Sequence, residues 1–507
     1  MPTTFPAAGG SFWFTTGDPG PRRIPAAGRC RVDVAVIGGG FTGLWSAIAL
    51  LDADPTLRVA VLEAERVGWG ASGRNGGFCA ASLTHGLANG LLHFPDEIDI
   101  LEREGLDNLA GLVGFVRSEG FDCELEETGT LDVATEPHHV VELLEHVELA
   151  NRYGNPLRFL DRDEIQAEVP SPRFLAGVRA GGDRTVMVNP ARLAWGLAAA
   201  VERRGGTVFE GSRVTGVLRR AGGVDLVVDG GGVVEASEVI VGTSAYSGWL
   251  RRLVPQFVPV YDYVLTTEPL TPAQRASIGW RGREGLGDAG KQFHYFRLTA
   301  DDRVLWGGYD AIYHPGNRVV PAHDRRPATF ATLERNFLAT FPMLAGIRFT
   351  HRWGGAIDTT TRFHVTFGEA LGGRVHYALG YTGLGVGSSR WAAGILRDKV
   401  LAPDSPRLRL RFVRSRPFPI PPEPVRTPAV ELMRRAVIET DRYICWPGQA
   451  LCYMTGMRVI RQLRADLTER DGAAFDLRRF HDELIGHGSL PLATLAKELP
   501  GWVLPKG

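Results

Sequence analysis

The stretch Val32–Gly43, which reads VDVAVIGGGFTG, decides the fold. Its first half is a short, mostly apolar run that ends in glycines, which predicts a buried parallel strand over Val32–Ile37. Apolar residues at helical spacing follow over Phe41–Ala53, and a second apolar run predicts another strand over Arg58–Glu63. A strand, a helix and a second strand in this order form a β-α-β unit.

The glycines between the first strand and the helix predict a dinucleotide-binding site. Gly38 permits a tight turn, Gly40 lets a diphosphate approach the backbone, and Gly43 lets the helix pack close to the strand. The first residues of the helix, Phe41 and Thr42, offer free N–H groups and the positive end of the helix dipole to the phosphates. The alternative is a glycine-rich turn that binds nothing.

Glu63 is the expected ribose ligand of this site. It lies 25 residues beyond Gly38, at the end of the second strand. There its carboxylate can accept hydrogen bonds from ribose hydroxyls, and it would repel a 2′-phosphate. An ordinary surface carboxylate at a strand end is the competing interpretation.

The loop Gly70–Gly77, which reads GASGRNGG, favours FAD over NAD as the dinucleotide. It begins within ten residues of Glu63 and combines side-chain donors with residues that have no bulk. Such a loop can run along an extended FAD and contact its pyrophosphate and flavin, whereas an NAD enzyme has no need for it. The expected contacts are Ser72, Arg74, Asn75, Gly76 and Gly77.

The run from Asp33 to Gly77 resembles the amino-terminal signature of the D-amino acid oxidase-like superfamily of FAD-dependent oxidoreductases. The GASGRNGG form is similar to that of the subgroup around gamma-glutamylputrescine oxidase, whose members act on amines and amino acids. The resemblance extends over about residues 10–415. Further matching motifs follow in order: Asn189–Leu193, Thr267–Leu270, Tyr295–Arg297 before Gly307–Gly308, Trp353–Gly355, and Gly380–Gly385.

The resemblance implies a second cofactor-binding segment near the end of the matched region. In the family a glycine-rich turn before the last helix lies at the flavin ring, where the backbone and the helix dipole stabilise negative charge on the reduced flavin. Val214, just after Ser212-Arg213, stands where the family places a backbone contact to adenine. A turn packed only for stability is the alternative for the first of these segments. Its residues are Gly380, Tyr381, Thr382, Gly383, Leu384 and Gly385.

The expected activity follows from the same resemblance. A neutral amine transfers a hydride from carbon to flavin N5, and the resulting imine hydrolyses, so no conspicuous acid–base dyad is expected. The partners are a small amine or amino acid and either O₂ or another electron acceptor. FAD is expected to be non-covalent, since neither Cys79 nor His364 matches a covalent attachment motif. An NAD-dependent dehydrogenase and a catalytically silent flavin-binding protein are the alternatives.

The candidate substrate pocket rests on a few side chains in the second half of the chain. If the substrate carries a carboxylate, an arginine is expected to bind it bidentately, and Arg297 is the candidate. Strand alternation places Arg297 on the same face as Tyr295. Tyr295, Tyr263 and Trp353 are candidates for the pocket wall. The competing interpretations are a structural or solvated arginine and aromatic side chains that belong to the core.

Composition narrows the classes of function. The chain has 507 residues, and Lys plus Arg and Asp plus Glu both count 57, so the formal net charge is zero. That balance gives no electrostatic reason to expect nucleic acid or an anionic membrane as a partner. The apolar stretches are shorter than the ~20 residues of a membrane helix. The five cysteines form no C-x-x-C pair, so we expect a cytoplasmic enzyme without a metal site or disulfide framework.

The expected fold class is α/β (α+β overall), with a Rossmann-type FAD-binding domain, an interleaved antiparallel-sheet substrate domain and a helical C-terminal appendage. The segments after about residue 439 resemble the end of a helical zinc-peptidase-like family of unknown function, but its H-E-x-x-H motif is absent. The appendage could cover an edge, mediate a homo-oligomer or record a gene fusion. The predicted division is an N-terminal extended arm (1–30), an FAD-binding domain (31–87, 156–250 and 346–412), a substrate domain (88–155 and 251–345), a Pro-rich linker (413–428) and the appendage (429–507).

Overall fold

The computed structural model of the chain describes residues 10–250, 253–290, 292–432, 449–487 and 490–503. Two compact units make up the chain, Met1–Met433 and Arg434–Gly507. The first unit contains two large sheets and a two-stranded ribbon of Phe78–Ala80 and Thr185–Met187. Its α-helices are Phe41–Ala53, Leu87–His93, Ile98–Glu119, Pro137–Arg152, Arg162–Glu168, Pro190–Arg203, Pro272–Ser277, Pro327–Thr340, Gly385–Leu401 and Arg411–Arg414.

An eight-stranded sheet contains the predicted β-α-β unit at its centre. The first two predicted strands pair in parallel, and the strand at residues 233–241 pairs in parallel with the first of them on its other side. All four residues of Val59–Leu62 are buried, as expected for a central parallel strand. The strands lie in the order Thr366–Ala370, Val375–Leu379, Val233–Val241, Arg29–Ile37, Val59–Leu62 and Thr207–Phe209, and Val214–Arg220 and Gly223–Val228 extend the sheet from Val233–Val241.

Three helices cover one face of this sheet and form its main core. Helix Phe41–Ala53 packs against both Pro190–Arg203 and Gly385–Leu401. The helix Pro190–Arg203 begins at a side-chain cap: the side chain of Asn189 accepts a hydrogen bond from the backbone N–H of Arg192, and proline occupies its first turn. These helices hold the first turn of Phe41–Ala53 in place at the end of the central strand.

A nine-stranded, mostly antiparallel sheet is the second large sheet of the unit. Its longest pairing joins Val258–Thr267 to Phe349–Thr359, and helix Pro327–Thr340 packs against it. The strand His294–Leu298 pairs antiparallel with Val304–Gly308, so the two form a hairpin. The strand order is Ile312–Tyr313, Val258–Thr267, Val304–Gly308, His294–Leu298, Gly285–Asp288, Thr130–Ala134, Ala176–Ala180 and Arg158–Leu160, with Phe349–Thr359 paired to Val258–Thr267.

Sheet membership differs in part from the predicted division of the chain. Strands Arg158–Leu160, Ala176–Ala180 and Phe349–Thr359 belong to the nine-stranded sheet, although their segments were assigned to the FAD-binding domain. Helix Ile98–Glu119, assigned to the substrate domain, packs against Gly385–Leu401 instead. Residue patterns indicate that a strand or helix exists, whereas its partner depends on long-range packing that the pattern does not contain.

The N-terminal arm is not simply extended, which corrects the prediction for its described part. Residues Phe12–Thr15 form a short 3₁₀ helix, and the side chains of Phe12, Trp13 and Phe14 are buried. The indole N–H of Trp13 donates to the backbone carbonyl of Asn75 at 2.7 Å. Three consecutive aromatic side chains gain far more from burial than from exposure. Residues 1–9 lie outside the described part of the chain.

The second unit is helical wherever the structure describes it, as predicted. Its helices are Gln449–Asp471, Leu477–Gly486 and Leu492–Trp502, packed around Leu467, Phe480 and Leu499. The zinc-peptidase-like resemblance rested on residues 442–450 and 475–482; residues 442–448 lie outside the described part of the chain, whereas 475–482 are described. None of the described helices in either unit has both the length and the apolar character needed to cross a membrane.

Candidate cofactor and substrate site

The first crossover is the turn Ile37–Gly43 between the first strand and helix Phe41–Ala53. Three backbone segments lie so close together there that two of its glycines have no room for a side chain. Gly38 has a positive φ of 107°, and a Cβ there would lie 2.8 Å from the carbonyl oxygen of Gly242. A Cβ on Gly43 would overlap the carbonyl oxygen of Gly38 and lie 3.1 Å from a methyl group of Val36. The tight turn and the close packing of helix against strand are those that the motif predicts.

The start of helix Phe41–Ala53 is open for an anion. Its N-cap residue is Gly40, so the helix lacks a side-chain cap of its own. The hydroxyl of Ser72, from the 70–77 loop, accepts a hydrogen bond from the backbone N–H of Phe41 at 2.9 Å. A Cβ on Gly40 would lie 2.8 Å from that hydroxyl oxygen. The predicted loop contact Ser72 therefore lies at the phosphate-binding end of the helix.

Glu63 lies beside the crossover, at the end of the second strand. Its carboxylate accepts hydrogen bonds from the backbone N–H groups of Gly39, at 2.7 Å, and Glu65, at 2.8 Å. Burial raises the pKa of Glu63 to about 7 despite these two donors. The backbone N–H of Ser212 donates to the Glu63 carbonyl at 2.7 Å, which brings the segment leading to Val214 alongside. The two residues predicted for the ribose and adenine thus lie near each other.

The loop 70–77 is stabilised by its own polar side chains Arg74 and Asn75, whose contact with the cofactor remains a prediction. The Arg74 guanidinium donates to Asp324 at 2.6 Å and to the backbone carbonyls of Gly354 and Trp69. The Asn75 amide bonds to the backbone of the loop itself, on both sides of its turn. These side chains fix the conformation of the loop.

The turn 380–385 is built from left-handed backbone. Gly380, Thr382 and Gly383 have φ values of 82°, 51° and 94°. Asp358 stabilises the turn, because its carboxylate accepts from the Gly380 N–H at 2.6 Å and its carbonyl accepts from the Thr382 N–H at 3.1 Å. A Cβ on Gly383 would meet no atom within 4 Å, so this residue borders open space.

The two predicted cofactor segments meet in three dimensions. The hydroxyl of Thr42, in the first turn of helix Phe41–Ala53, donates to the hydroxyl of Tyr381 at 2.8 Å. Helix Gly385–Leu401 begins at the same turn, and Leu384 provides no side-chain cap for it. Two helix N-termini, a side-chain-free crossover and a buried carboxylate therefore surround one region. That set of donors fits a dinucleotide with a diphosphate, a ribose and an electron-accepting ring.

The substrate-side residues lie on the face of the nine-stranded sheet that the 70–77 loop covers. A Cβ on Gly76 would lie 2.6 Å from the ring of Tyr295, and one on Gly77 would lie 2.7 Å from the guanidinium of Arg297. His294, by contrast, faces Asn336 on helix Pro327–Thr340, at 3.0 Å. The predicted alternation along this strand is confirmed.

Arg297 and Trp353 differ from the expectation in what they bind. Arg297 is 1% exposed, and its guanidinium donates to the backbone carbonyl of Val188 at 2.8 Å and lies 5.7 Å from the ring of Trp13. Burial lowers the pKa of Arg297 to about 10. The indole N–H of Trp353 donates to the carbonyl of Arg74 at 2.8 Å. In this arrangement Trp353 binds the loop, and Arg297 binds the backbone at Val188.

Tyr263 lies on the opposite face and belongs to the core. Its ring is buried, and its hydroxyl donates to the carbonyl of His323 at 2.9 Å. Tyr295 is only partly buried, and it is bound to a carboxylate that the sequence interpretation missed. The Tyr295 hydroxyl donates to Asp262 at 2.5 Å. An acidic residue within the otherwise apolar and aromatic strand 258–267 is the signal that could have revealed it.

The two residues considered for covalent attachment lie in the protein interior. Cys79 is fully buried in the strand Phe78–Ala80, and burial raises the pKa of its thiol to about 12. His364 is 2% exposed and packs against the rings of Phe94 and Phe412. Burial lowers the pKa of His364 to about 4. Non-covalent binding of the cofactor remains a prediction.

The fold and the site together define a dinucleotide-dependent oxidoreductase of the α/β class. The chain belongs to the family described as FAD dependent oxidoreductase (DAO), whose family model matches residues 33–399. FAD is therefore the cofactor, and the alternative of an NAD-dependent dehydrogenase is set aside. A second family, described as a bacterial protein of unknown function (DUF885), matches residues 429–499 in the appendage.

The proteins to which this chain is similar support this assignment. The chain is 33% identical over 384 residues to gamma-glutamylputrescine oxidoreductase of Escherichia coli K12, covering 72% of this chain and 83% of that protein. It is 28% identical over 427 residues to the probable oxidoreductase OrdL of Rhizobium meliloti, covering 82% and 94%. The solved structure of glycine oxidase from Geobacillus kaustophilus aligns with a TM-score of 0.62 at 21% identity, covering 76% and 99%.

Proposed function

We propose that this FAD-dependent oxidoreductase oxidises the C–N bond of a small amine or amino acid to an imine, which water then hydrolyses. The observation that carries the proposal is Tyr295, a partly buried phenol packed against Gly76 of the loop that faces the cofactor. Relatives named gamma-glutamylputrescine oxidoreductase, glycine oxidase and sarcosine oxidase subunit beta point to the same class of substrate. Two glycine-rich segments and one sheet face would then enclose the reacting carbon.

Several groups of this chain would hold the cofactor. The N–H groups at the start of helix Phe41–Ala53 would bind the diphosphate, and Glu63 would accept from the ribose. The backbone of loop 70–77 would line the length of the molecule, and the start of helix Gly385–Leu401 would face the flavin. Bound FAD supplies the two-electron oxidation, for which the side chains themselves have no acceptor.

The protein's contribution to the reaction is to orient the amine and to keep it in the reactive form. Tyr295 and Arg297 on the sheet face pack directly against Gly76 and Gly77 of the loop, so that sheet face and loop together would form one continuous wall beside the amine. The hydrogen bonds of Arg74, Asn75 and Trp353 hold the loop wall rigid, which places the bound amine against the cofactor without a large ordering cost.

The experiment is an anaerobic bleaching screen with the isolated holoprotein. Polyamines, amino acids and N-methylated amines are added in turn, and the flavin absorbance near 450 nm is followed. We expect yellow protein whose colour is bleached by at least one amine. A yellow protein that no amine reduces would indicate the silent flavin-binding alternative, and a colourless protein that does not bind added FAD would overturn the proposal.

The same preparation distinguishes the possible electron acceptors. After reduction by the active amine, air is admitted to one sample and an artificial electron-acceptor dye to another. Rapid return of the yellow colour in air would show that O₂ accepts the electrons, whereas return only with the dye would show a dehydrogenase.

A further inference from the structure

Tyr295 occupies a slot that two glycines leave open. A Cβ on Gly76 would lie 2.6 Å from one edge of the ring, and a Cβ on Gly307 would lie 2.5 Å from the ring carbon that carries the hydroxyl. Gly307 is directly opposite Tyr295 in the pairing of the hairpin strands. Any larger residue at either position would displace the ring, so the phenol has one place to lie.

Asp262, on the long strand next to this hairpin, binds the hydroxyl at the end of that ring. Its carboxylate accepts from the Tyr295 hydroxyl at 2.5 Å and from the backbone N–H of Tyr263 at 2.8 Å, and the N–H of Gly308 also donates to it. The phenol proton is therefore directed to the carboxylate. The lone pairs of the phenol oxygen are left to accept a hydrogen bond from another donor.

We propose that Asp262 is a positioning residue, which turns the Tyr295 oxygen into a fixed acceptor for the N–H of the reacting amine. The proposal rests on the proposed function, because it names what recognises the substrate nitrogen in the same pocket. A phenol whose own proton is bound to a carboxylate accepts from an amine and cannot also donate to a substrate oxygen. The pair therefore selects for a nitrogen with an N–H at the reacting carbon over an alcohol oxygen positioned only to accept.

The pair also imposes a pH dependence. Burial raises the pKa of Asp262 to about 6, against the lowering effect of its three hydrogen-bond donors. The titratable neighbour on the next element is Tyr295, whose pKa is raised well above its usual value, so it stays protonated. On its other side Asp262 pairs with Gly355, which lies against the aliphatic part of the Arg74 side chain. The guanidinium of Arg74 binds Asp324 and the Gly354 carbonyl.

Protonation of Asp262 would reverse the polarity of the pair. The carboxylic acid then donates to the phenol oxygen, and the phenol proton turns toward the substrate N–H. Binding of the amine should therefore weaken below about pH 6. The ionisation of an aliphatic amine lies far higher, near pH ~10, as for a lysine side chain, so the two effects separate on the pH axis.

The test compares wild-type holoenzyme with Asp262→Asn, using an amine found by the bleaching screen. The Tyr263 N–H donates to the amide oxygen of the asparagine. The NH₂ group of the asparagine therefore faces Tyr295 and donates to the phenol oxygen at all pH values, which reverses the direction of the hydrogen bond between the two side chains. In wild type we expect log(kcat/KM) to fall one unit more steeply per pH unit below about pH 6. In Asp262→Asn we expect no break there and a loss of roughly a hundredfold at pH 7.5.

A double variant shows whether Asp262 acts through the phenol. Tyr295→Phe alone should lower kcat/KM strongly, and adding Asp262→Asn should lower it little further, because the same interaction has already been removed. Asp132→Asn and Tyr263→Phe, two substitutions of the same kind elsewhere in the sheet, should leave the break near pH 6 in place. Effects that multiply in the double variant, or a break that survives in Asp262→Asn, would overturn the proposal.

A readout without turnover separates this proposal from the proposed function. The flavin absorbance spectrum of the substrate-free holoprotein is titrated from pH 5 to pH 8. We expect a spectral change with a midpoint near pH 6 in wild type and Asp132→Asn, and a clearly smaller change in Asp262→Asn, where Asp358 at the 380–385 turn, whose pKa is also raised to about 6, still titrates. If no amine bleached the flavin but this titration behaved as expected, the proposed function would fail while the pairing of Asp262 and Tyr295 would stand. A wild-type spectrum that does not respond to pH would count against the pairing.

Discussion

The first crossover and the substrate-facing side of the nine-stranded sheet achieve binding in opposite ways. The crossover Ile37–Gly43 offers backbone only, because side chains at Gly38 and Gly43 would collide with carbonyl oxygens. The sheet face offers side chains, and almost every one of them is already bound to another part of the protein. The diphosphate would be bound by backbone N–H groups that no side chain covers, whereas the substrate would meet side chains whose orientation is already fixed by the protein, such as Tyr295 bound to Asp262.

The sharpest way to break this comparison is to add one methyl group to the crossover. Gly43→Ala places a Cβ on the carbonyl oxygen of Gly38, so the helix must move away from the strand. We expect a loss of at least ~3 kcal/mol in stability and loss of bound FAD, measured by thermal unfolding and by the ratio of absorbance at 450 nm to that at 280 nm.

Gly114→Ala is the matched control for that change. Gly114 lies within helix Ile98–Glu119, and a Cβ there meets nothing within 4 Å. Alanine is the better helix former by up to ~1 kcal/mol, so this variant should retain FAD and unfold no earlier than wild type. If the two variants behaved alike, close packing would not be the reason for a glycine at position 43.

The second prediction concerns the support of the 70–77 loop. Arg74→Met removes one partner of a buried ion pair and leaves Asp324 without its cation. We expect a loss of ~3–5 kcal/mol in the free energy of unfolding, measured with urea at fixed FAD concentration. Arg348→Met removes an exposed ion pair with Glu268, which solvent screens, and should leave stability almost unchanged. Equal effects would show that the loop does not depend on Arg74.

The smallest expected effect concerns Glu63 and pH. Its pKa in the cofactor-free protein is raised to about 7, so the stability that its neutral form contributes is complete below pH 4.5 and is lost as pH rises through about 7. Ribose hydroxyls donate to the ionised form. The affinity for FAD should therefore rise about tenfold between pH 6 and pH 8, as measured by fluorescence titration.

Glu63→Gln should remove that rise in FAD affinity, because an amide does not titrate in this range. Glu268→Gln, at a remote exposed carboxylate, should keep the wild-type pH dependence. An affinity that is independent of pH in wild type would argue that Glu63 does not contact the ribose.

The cofactor side could be predicted well from the sequence because its signals are local. Helix Phe41–Ala53 has the predicted bounds, and the two predicted strands beside it pair in parallel. Glycine at a crossover and asparagine at a helix start report steric and hydrogen-bond needs of the next few residues. The turn 380–385 was found through its family resemblance, and the structure shows its left-handed backbone.

The substrate side could not be predicted in the same way. Arg297 and Tyr295 share a face as expected, but their partners come from elsewhere in the chain: Val188 binds the first and Asp262 the second. The 3₁₀ turn at Phe12–Thr15 is a similar case, since its indole N–H binds a carbonyl 62 residues later. A local sequence pattern does not indicate which buried polar groups will form hydrogen bonds with each other.

The amino-acid sequence by itself determined the β-α-β unit and the dinucleotide crossover, because short-range sterics leave few alternatives for such a run of glycines, and the resemblance of Asp33–Gly77 to a known family added the FAD-dependent class. Only the tertiary structure decided which sheet each strand joins, that Arg74 supports the loop, and that Asp262 orients Tyr295. Those outcomes depend on contacts between distant segments, whose free energy is set by burial and by the pairing of polar groups once the chain has folded.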